Sequence, residues 1–335
     1  MREPRRVRLS KVSPELHRGR AAEEGIGETE NHPIPMLKLS SLILALTTAF
    51  SSALSAQEME PRAYSRAPIG TQFVLLTYGH QSGDVLTDSS LPLRDVSVNL
   101  NSGSLGYGRT FGLAGRQASV TALASYVEAN VSGTVFEDRQ NVRRSGLGDL
   151  RMRFATNLIG GPALPPTEFA AYKPATVVGV SLTVIAPTGQ YDPHRLVNIG
   201  SNRWSFKPEV GLSKPVGRWT LEVAGGVWLF TRNDNFFGGA RREQKPLGSI
   251  QTSVIYTLRR RMWVSGNATF YTGGRTIVNG VINADLQKNS RIGATFSLPL
   301  TQRQSMKVAW INGLTARFGG DLSGLVVGWQ YTWLK

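Results

Sequence analysis

Between residues 148 and 158, bulky apolar side chains (Leu150, Met152, Phe154, Leu158) alternate with polar and charged ones (Asp149, Arg151, Arg153, Asn157). Period two is the period of a β-strand, whose successive side chains point to opposite faces. Unpaired charges are costly to bury, so one face of the sheet that holds this strand must be wet. A soluble sandwich and a membrane barrel both meet that condition. They differ in how the strands are joined.

The pattern repeats along the chain. Val178, Val180, Leu182 and Val184 share one parity, as do Trp204, Phe206, Pro208, Val210 and Leu212. So do Leu221, Val223, Val227 and Leu229, and near the end Leu325, Val327, Trp329, Tyr331 and Trp333. Connections alternate: long and polar at 80–95, 132–145, 187–203, 232–245, 273–289 and 312–323, and mostly short between them. A barrel in the outer membrane, with short periplasmic turns and long extracellular loops, requires that alternation, whereas a sandwich does not. The expected fold is therefore all-β, an antiparallel transmembrane β-barrel of about 12 strands over residues 70–335. Two irregularities stand out. The apolar parity of the 96–110 strand slips near Gly103, as a β-bulge would make it, and 160–175 is long where a short turn is due.

Aromatic residues near strand ends (Tyr78, Tyr107, Trp204, Trp219, Phe230, Tyr256, Trp263, Tyr271, Trp329, Tyr331, Trp333) read as two girdles at the membrane interfaces. Mean hydropathy of −0.16 excludes a bundle of membrane helices but not a barrel, half of whose strand residues are polar.

The N-terminus divides into three parts. Residues 36–56 carry one Lys, an apolar run at 42–54 too short to span a bilayer, and a small-residue end at Ala56, which together describe a secretory signal peptide. Residues 1–35 are charged and aperiodic, and read as an over-extended gene start with translation beginning at Met36, or else as a disordered leader. Residues 57–69 read as a flexible segment. The absence of Cys suits an oxidising compartment.

The net charge of +15 suggests nucleic acid until it is divided. The first 56 residues hold 8 basic and 6 acidic groups, leaving 30 and 17, or +13, for the mature chain. Those charges are scattered over loops and polar strand faces, with no basic stripe, so nucleic acid is not an expected partner. Basic loops meeting lipopolysaccharide, or a lumen that favours anions, account for them better.

Candidate chemistry is sparse. Tyr191-Asp192-Pro193-His194 reads as a turn, not a metal site. His80-Gln81-Ser82 has the His-x-Ser spacing that puts a base and a nucleophile on one strand face, as in membrane-embedded lipid hydrolases. However, Gly83-Asp84 suggests that the strand has ended, and no orienting Asn or Glu is evident nearby. Polar parity instead points inward. Asp149, Arg151, Arg153, Lys207, Glu209, Glu222, Arg291 and Lys307 are the expected lumen-lining residues, with no cofactor and no catalytic set.

The motifs Gly146-Leu147-Gly148-Asp149-Leu150, Ala186-Pro187-Thr188-Gly189 with Tyr191-Asp192, and Asn198, Gly200, Arg203-Trp204 and Pro208 resemble a known group. They are similar to those of the bacterial outer-membrane transporters of the phenol-degradation meta-pathway (MetA-pathway) family, with the likeness running from residue 72 to the C-terminus. The resemblance implies a barrel that passes small molecules, hydrophobic or aromatic ones among them, and brings no catalytic or ligand-binding residues. The expected partners are outer-membrane lipid and lipopolysaccharide, a small-molecule solute and the assembly machinery, with a monomer favoured. A lipid hydrolase using His80 and Ser82, or a non-transporting surface barrel, are the alternatives. Leu334-Lys335 depart from the aromatic last residue usual in such barrels.

Overall fold

The computed structural model describes residues 60–86, 93–135, 138–173, 175–195 and 197–335. The expected leader (1–35) and signal peptide (36–56) lie outside the described residues. The strands are β1 (Thr71–Leu86), β2 (Leu93–Leu113), β3 (Arg116–Val135), β4 (Asp138–Leu147), β5 (Leu150–Ile159), β6 (Val177–Ala186), β7 (Ser205–Val216), β8 (Trp219–Phe230), β9 (Asn233–Phe236), β10 (Ala240–Gln244), β11 (Leu247–Arg259), β12 (Met262–Gly273), β13 (Thr276–Val278), β14 (Val281–Ile282), β15 (Gln287–Pro299), β16 (Gln304–Thr315) and β17 (Gly319–Leu334). One helix, α1 (Pro166–Ala171), occupies the long 160–175 connection. Among the described residues no helix is long and apolar enough to cross a membrane.

Thirteen strands form the main sheet, and antiparallel pairing of β1 with β17 closes it on itself. β3 pairs with β4 along its outer part and with β5 along its inner part. β4 and β5 thus share one stave, broken at Gly148-Asp149, and the closed barrel has twelve. Closure gives the lipid-facing staves a neighbour on each side, which is what a sheet in lipid requires, while β4 pairs with β3 alone. Short turns such as 114–115, 217–218 and 260–261 lie at the end that holds both chain termini of the barrel, the periplasmic end by the topology rule.

Outward-facing apolar side chains, among them Leu105, Val120, Leu221, Val254 and Leu325, are exposed and form the lipid belt. Tyr78, Trp204, Tyr107 and Trp219 are exposed near its two margins, as the girdles require. Phe230, Trp263 and Tyr271 do not belong to them. They face the interior, where Trp263 and Tyr271 are buried and Phe230 stacks on Trp228. Nearness to a strand end places a ring at the right height, but only its parity puts it on the lipid side.

The Gly103 irregularity is not a bulge. The register between β2 and β3 is continuous from Ser97 to Leu113 and shifts only between Arg94 and Ser97. What changes at Gly103 is the surroundings. β1, β2, β3 and β17 run for 16, 21, 20 and 16 residues, well beyond the 9–11 that a bilayer needs. Their outer ends therefore stand in water. There the polar side chains (Asp84, Asn99, Glu128, Asp321) take the outward parity. The inward parity becomes apolar, burying Val85, Val98, Leu100, Val127, Val131 and Leu322 in one cluster. The same elongation turns the expected loops at 80–95 and 132–145 largely into strand.

The cluster exists because something fills it. Val197 and Ile199, from the 187–203 loop, complete it from inside the barrel. The loops after β8 and β12 are ordered too, as a second sheet in the order β14-β13-β10-β9. At the other end, residues 60–69, part of the 57–69 segment, lead into β1. Tyr64 is 4% exposed and lies inside the barrel.

Candidate functional site: the barrel lumen

Two segments enter the lumen, one from each end. The inner one is seated by Tyr64. Gly179 of β6 and Gly211 of β7 are register partners, and a Cβ on either would overlap the Tyr64 ring. The two missing side chains make a slot of one ring's thickness. In it, the Tyr64 hydroxyl donates to Glu209 Oε1 at 2.9 Å and lies 3.2 Å from Ser181 Oγ. Next to it, the Arg62 backbone N–H donates to Glu222 Oε2 at 2.7 Å, and Arg153 donates to the Ala63 carbonyl at 3.3 Å.

The outer segment, 187–203, is held at the break between β4 and β5. Asp149 faces into the loop. Its Oδ1 accepts from Gly189 N at 2.8 Å, and its Oδ2 accepts from Ser201 N at 2.9 Å and Ser201 Oγ at 2.6 Å. The Gly189 and Gly200 backbones approach so closely that a Cβ on either would meet the other. Inside the loop, Asp192 accepts from His194 N at 2.9 Å and pairs with Arg195, which is turn chemistry.

Between these segments lie most of the residues expected from parity. Arg151, Arg153, Lys207, Glu209 and Glu222 line one cavity together with Glu60 and Tyr64, a space of about 30 Å³. Only a water or two would fit there as it stands. Lys207 pairs with Glu209 at 2.8 Å and Arg153 with Glu209 at 3.8 Å. Arg291 sits across the lumen from them, over the Tyr271 ring at 5.9 Å. Lys307 is near Glu60 and Arg62 at the inner end. Asp149 is the exception, because it binds the loop and not the passage.

Sequence reasoning did not anticipate how regularly lumen cations lie on lumen rings. Arg62 is over Trp263 (5.2 Å), Arg153 over Tyr64 (5.1 Å), Lys207 over Trp228 (5.6 Å), Arg203 over Phe230 (4.3 Å) and Arg242 over Phe236 (5.4 Å). A cation on a ring face keeps part of its charge stabilised without a carboxylate. Arg203 and Arg242, in the extramembrane part, are both buried. Burial, then the neighbouring charge of Arg242, holds Arg203 well below the usual arginine range, and burial brings Arg242 down to about 10.

His80 and Ser82 lie on the opposite surface. β1 continues through both to Leu86, so the strand has not ended at Gly83. Both have the outward parity, at the upper margin of the lipid belt. An orienting residue does exist, as the His80 Nδ1 is 2.9 Å from Asn101 Oδ1 on β2. Among the described residues, however, no hydrogen bond joins His80 to Ser82. No group of three or more potential metal ligands occurs among them either.

The family model described as "Putative MetA-pathway of phenol degradation" matches residues 79–321. The chain belongs to that family. Among solved structures, an outer-membrane channel from Pseudomonas putida F1 is similar, with 20% identity, 82% of this chain and 100% of that chain covered, and a TM-score of 0.68. The translocator domain of the autotransporter NalP from Neisseria meningitidis has 10% identity, coverage of 86% and 98%, and a TM-score of 0.51. At these identities the likeness is one of fold, that of bacterial outer-membrane β-barrels. No curated protein matches the chain.

Proposed function

We propose that this member of the phenol-degradation family is a passive outer-membrane channel for small, largely apolar or aromatic solutes, working without chemistry or cofactor. The observation that carries the reading is the lumen itself. Cations lie on rings along it, and two inserted segments occupy it, each held by apolar packing and a few polar contacts. Side chains alone fill a barrel of about eight strands; twelve leave a wider interior, which here the two segments occupy. Outward displacement of the 187–203 loop and release of residues 60–69 would open one continuous path. Asp149, Arg151, Arg153, Lys207, Glu209, Glu222, Arg291 and Lys307 act in this reading as latch (Asp149) and lining (the rest). The monomer is the functional unit, since the path lies within one barrel. Basic extracellular loops contact lipopolysaccharide, and the alternating Trp329, Tyr331 and Trp333 serve the assembly machinery.

Proteoliposomes loaded by dilution test this. Uptake of aromatic solutes that a bare bilayer excludes should depend on the protein and rise linearly with solute concentration at low loading. Uptake no faster than in protein-free vesicles would sink the proposal.

A further inference from the structure

Arg203 and Arg242 form an unusual pair. They are 4% and 5% exposed, and the positive charge of Arg242 bears on Arg203. Arg203 donates to Gln244 Oε1 at 2.5 Å, but its Nε and Nη1 are buried without a partner, as is Arg242 Nε. Neither closes an ion pair among the described residues. Buried charges without partners are strongly disfavoured, and two of like sign side by side more so.

The nearby carboxylates, Asp149 beside Arg203 and Asp285 beside Arg242, act on the pair through their charge alone, because neutral donors already take their hydrogen bonds. Asp285 accepts from Thr276 N at 2.9 Å and Thr276 Oγ1 at 2.6 Å. Asp149 is taken by Gly189 and Ser201. Gln244 is also committed, donating to the Gly274 carbonyl at 3.0 Å. Below the pair, Phe230 joins Trp228, Leu247 and Tyr271 in a buried aromatic and aliphatic cluster on the inner wall. Unpaired guanidinium N–H groups are therefore set directly above apolar rings.

We propose that Arg203 and Arg242 are the carboxylate-binding subsite of the channel's outer mouth, selecting small aromatic carboxylates. The carboxylate would accept from the free N–H groups of both arginines, the short charge-assisted arrangement guanidinium favours. The ring of the ligand would lie on the Phe230–Trp228 side. This rests on the channel reading for its role in passage, but not for the binding itself.

The probe is benzoate, titrated into the purified full-length protein in detergent and followed by Trp fluorescence and calorimetry. Benzyl alcohol serves as the neutral analogue and inorganic phosphate as the anion without a ring. Benzoate should bind saturably, at least tenfold more tightly than benzyl alcohol or phosphate. Arg242→Gln and Arg203→Gln should each weaken it at least tenfold, with Arg242→Lys intermediate. Equal binding of benzoate and benzyl alcohol, equal competition by phosphate, or wild-type affinity in both glutamine variants would overturn the assignment. If the variants do not fold, the wild-type comparison of the three probes decides alone. A protein that binds benzoate but passes nothing would sink the channel reading and leave this one. A protein that conducts without arginine-dependent binding would do the reverse.

Discussion

Tyr64 carries more of the account than any other single side chain, and its weight comes from what surrounds it. The paired glycines Gly179 and Gly211 provide space, while Glu209 and Ser181 provide polar partners for the hydroxyl. Removing the ring should cost the docked segment about 3 kcal/mol, the scale of truncating a buried aromatic. Tyr64→Ala is therefore expected to free residues 60–69, read as rapid proteolysis of that segment, while the barrel keeps its heat-modifiable mobility. Gly211→Val should give the same phenotype with Tyr64 intact, because the added side chain occupies the slot. An unchanged cleavage pattern in both would show that the segment is held elsewhere. Neither residue was legible as functional. Tyr64 lies in a stretch without periodicity, and only a glycine pair on the inward parity of neighbouring strands could have pointed to the slot. The inward charges were legible because charge cannot face lipid, so parity alone pointed to Arg151, Arg153, Lys207 and Glu209. Arg203 and Arg242 were not, since they fall in segments that read as loop.

At the scale of elements, the alternating strands and the long and short connections were readable because lipid imposes one rule on every stave. The rule stops where the strands leave the bilayer. β1, β2, β3 and β17 reverse polarity there, and a reversal without a change of register looks like a bulge in one dimension. The 187–203 loop depends on the same region. Its contacts divide between the apolar pocket around Val197 and Ile199 and the Asp149 carboxylate. Hydrogen bonds to a charged acceptor contribute about 1.5–3 kcal/mol each. Asp149→Ala should therefore loosen the loop without unfolding the barrel. Hydrogen exchange at the Gly189 and Ser201 amides is expected to accelerate at least a hundredfold, while amides of β11 and β12 stay protected. Slow exchange at Gly189 and Ser201 in the variant would mean that the apolar pocket alone holds the loop.

The barrel is a closed twelve-stave wall with its lumen occupied from both ends and lined by cations lying on rings. Because Lys207 and Arg153 share one carboxylate, Glu209, and the outer arginines close no ion pair among the described residues, positive charge is in excess along the path. Ions moving through it should be mainly anions. The most direct measurement is single-channel current of the purified protein in a planar bilayer under a salt gradient, for the wild type and Tyr64→Ala. The account predicts small, anion-selective events in the wild type and larger ones of the same selectivity once the inner segment is released. Silence in both proteins, although each is folded and inserted, would contradict it.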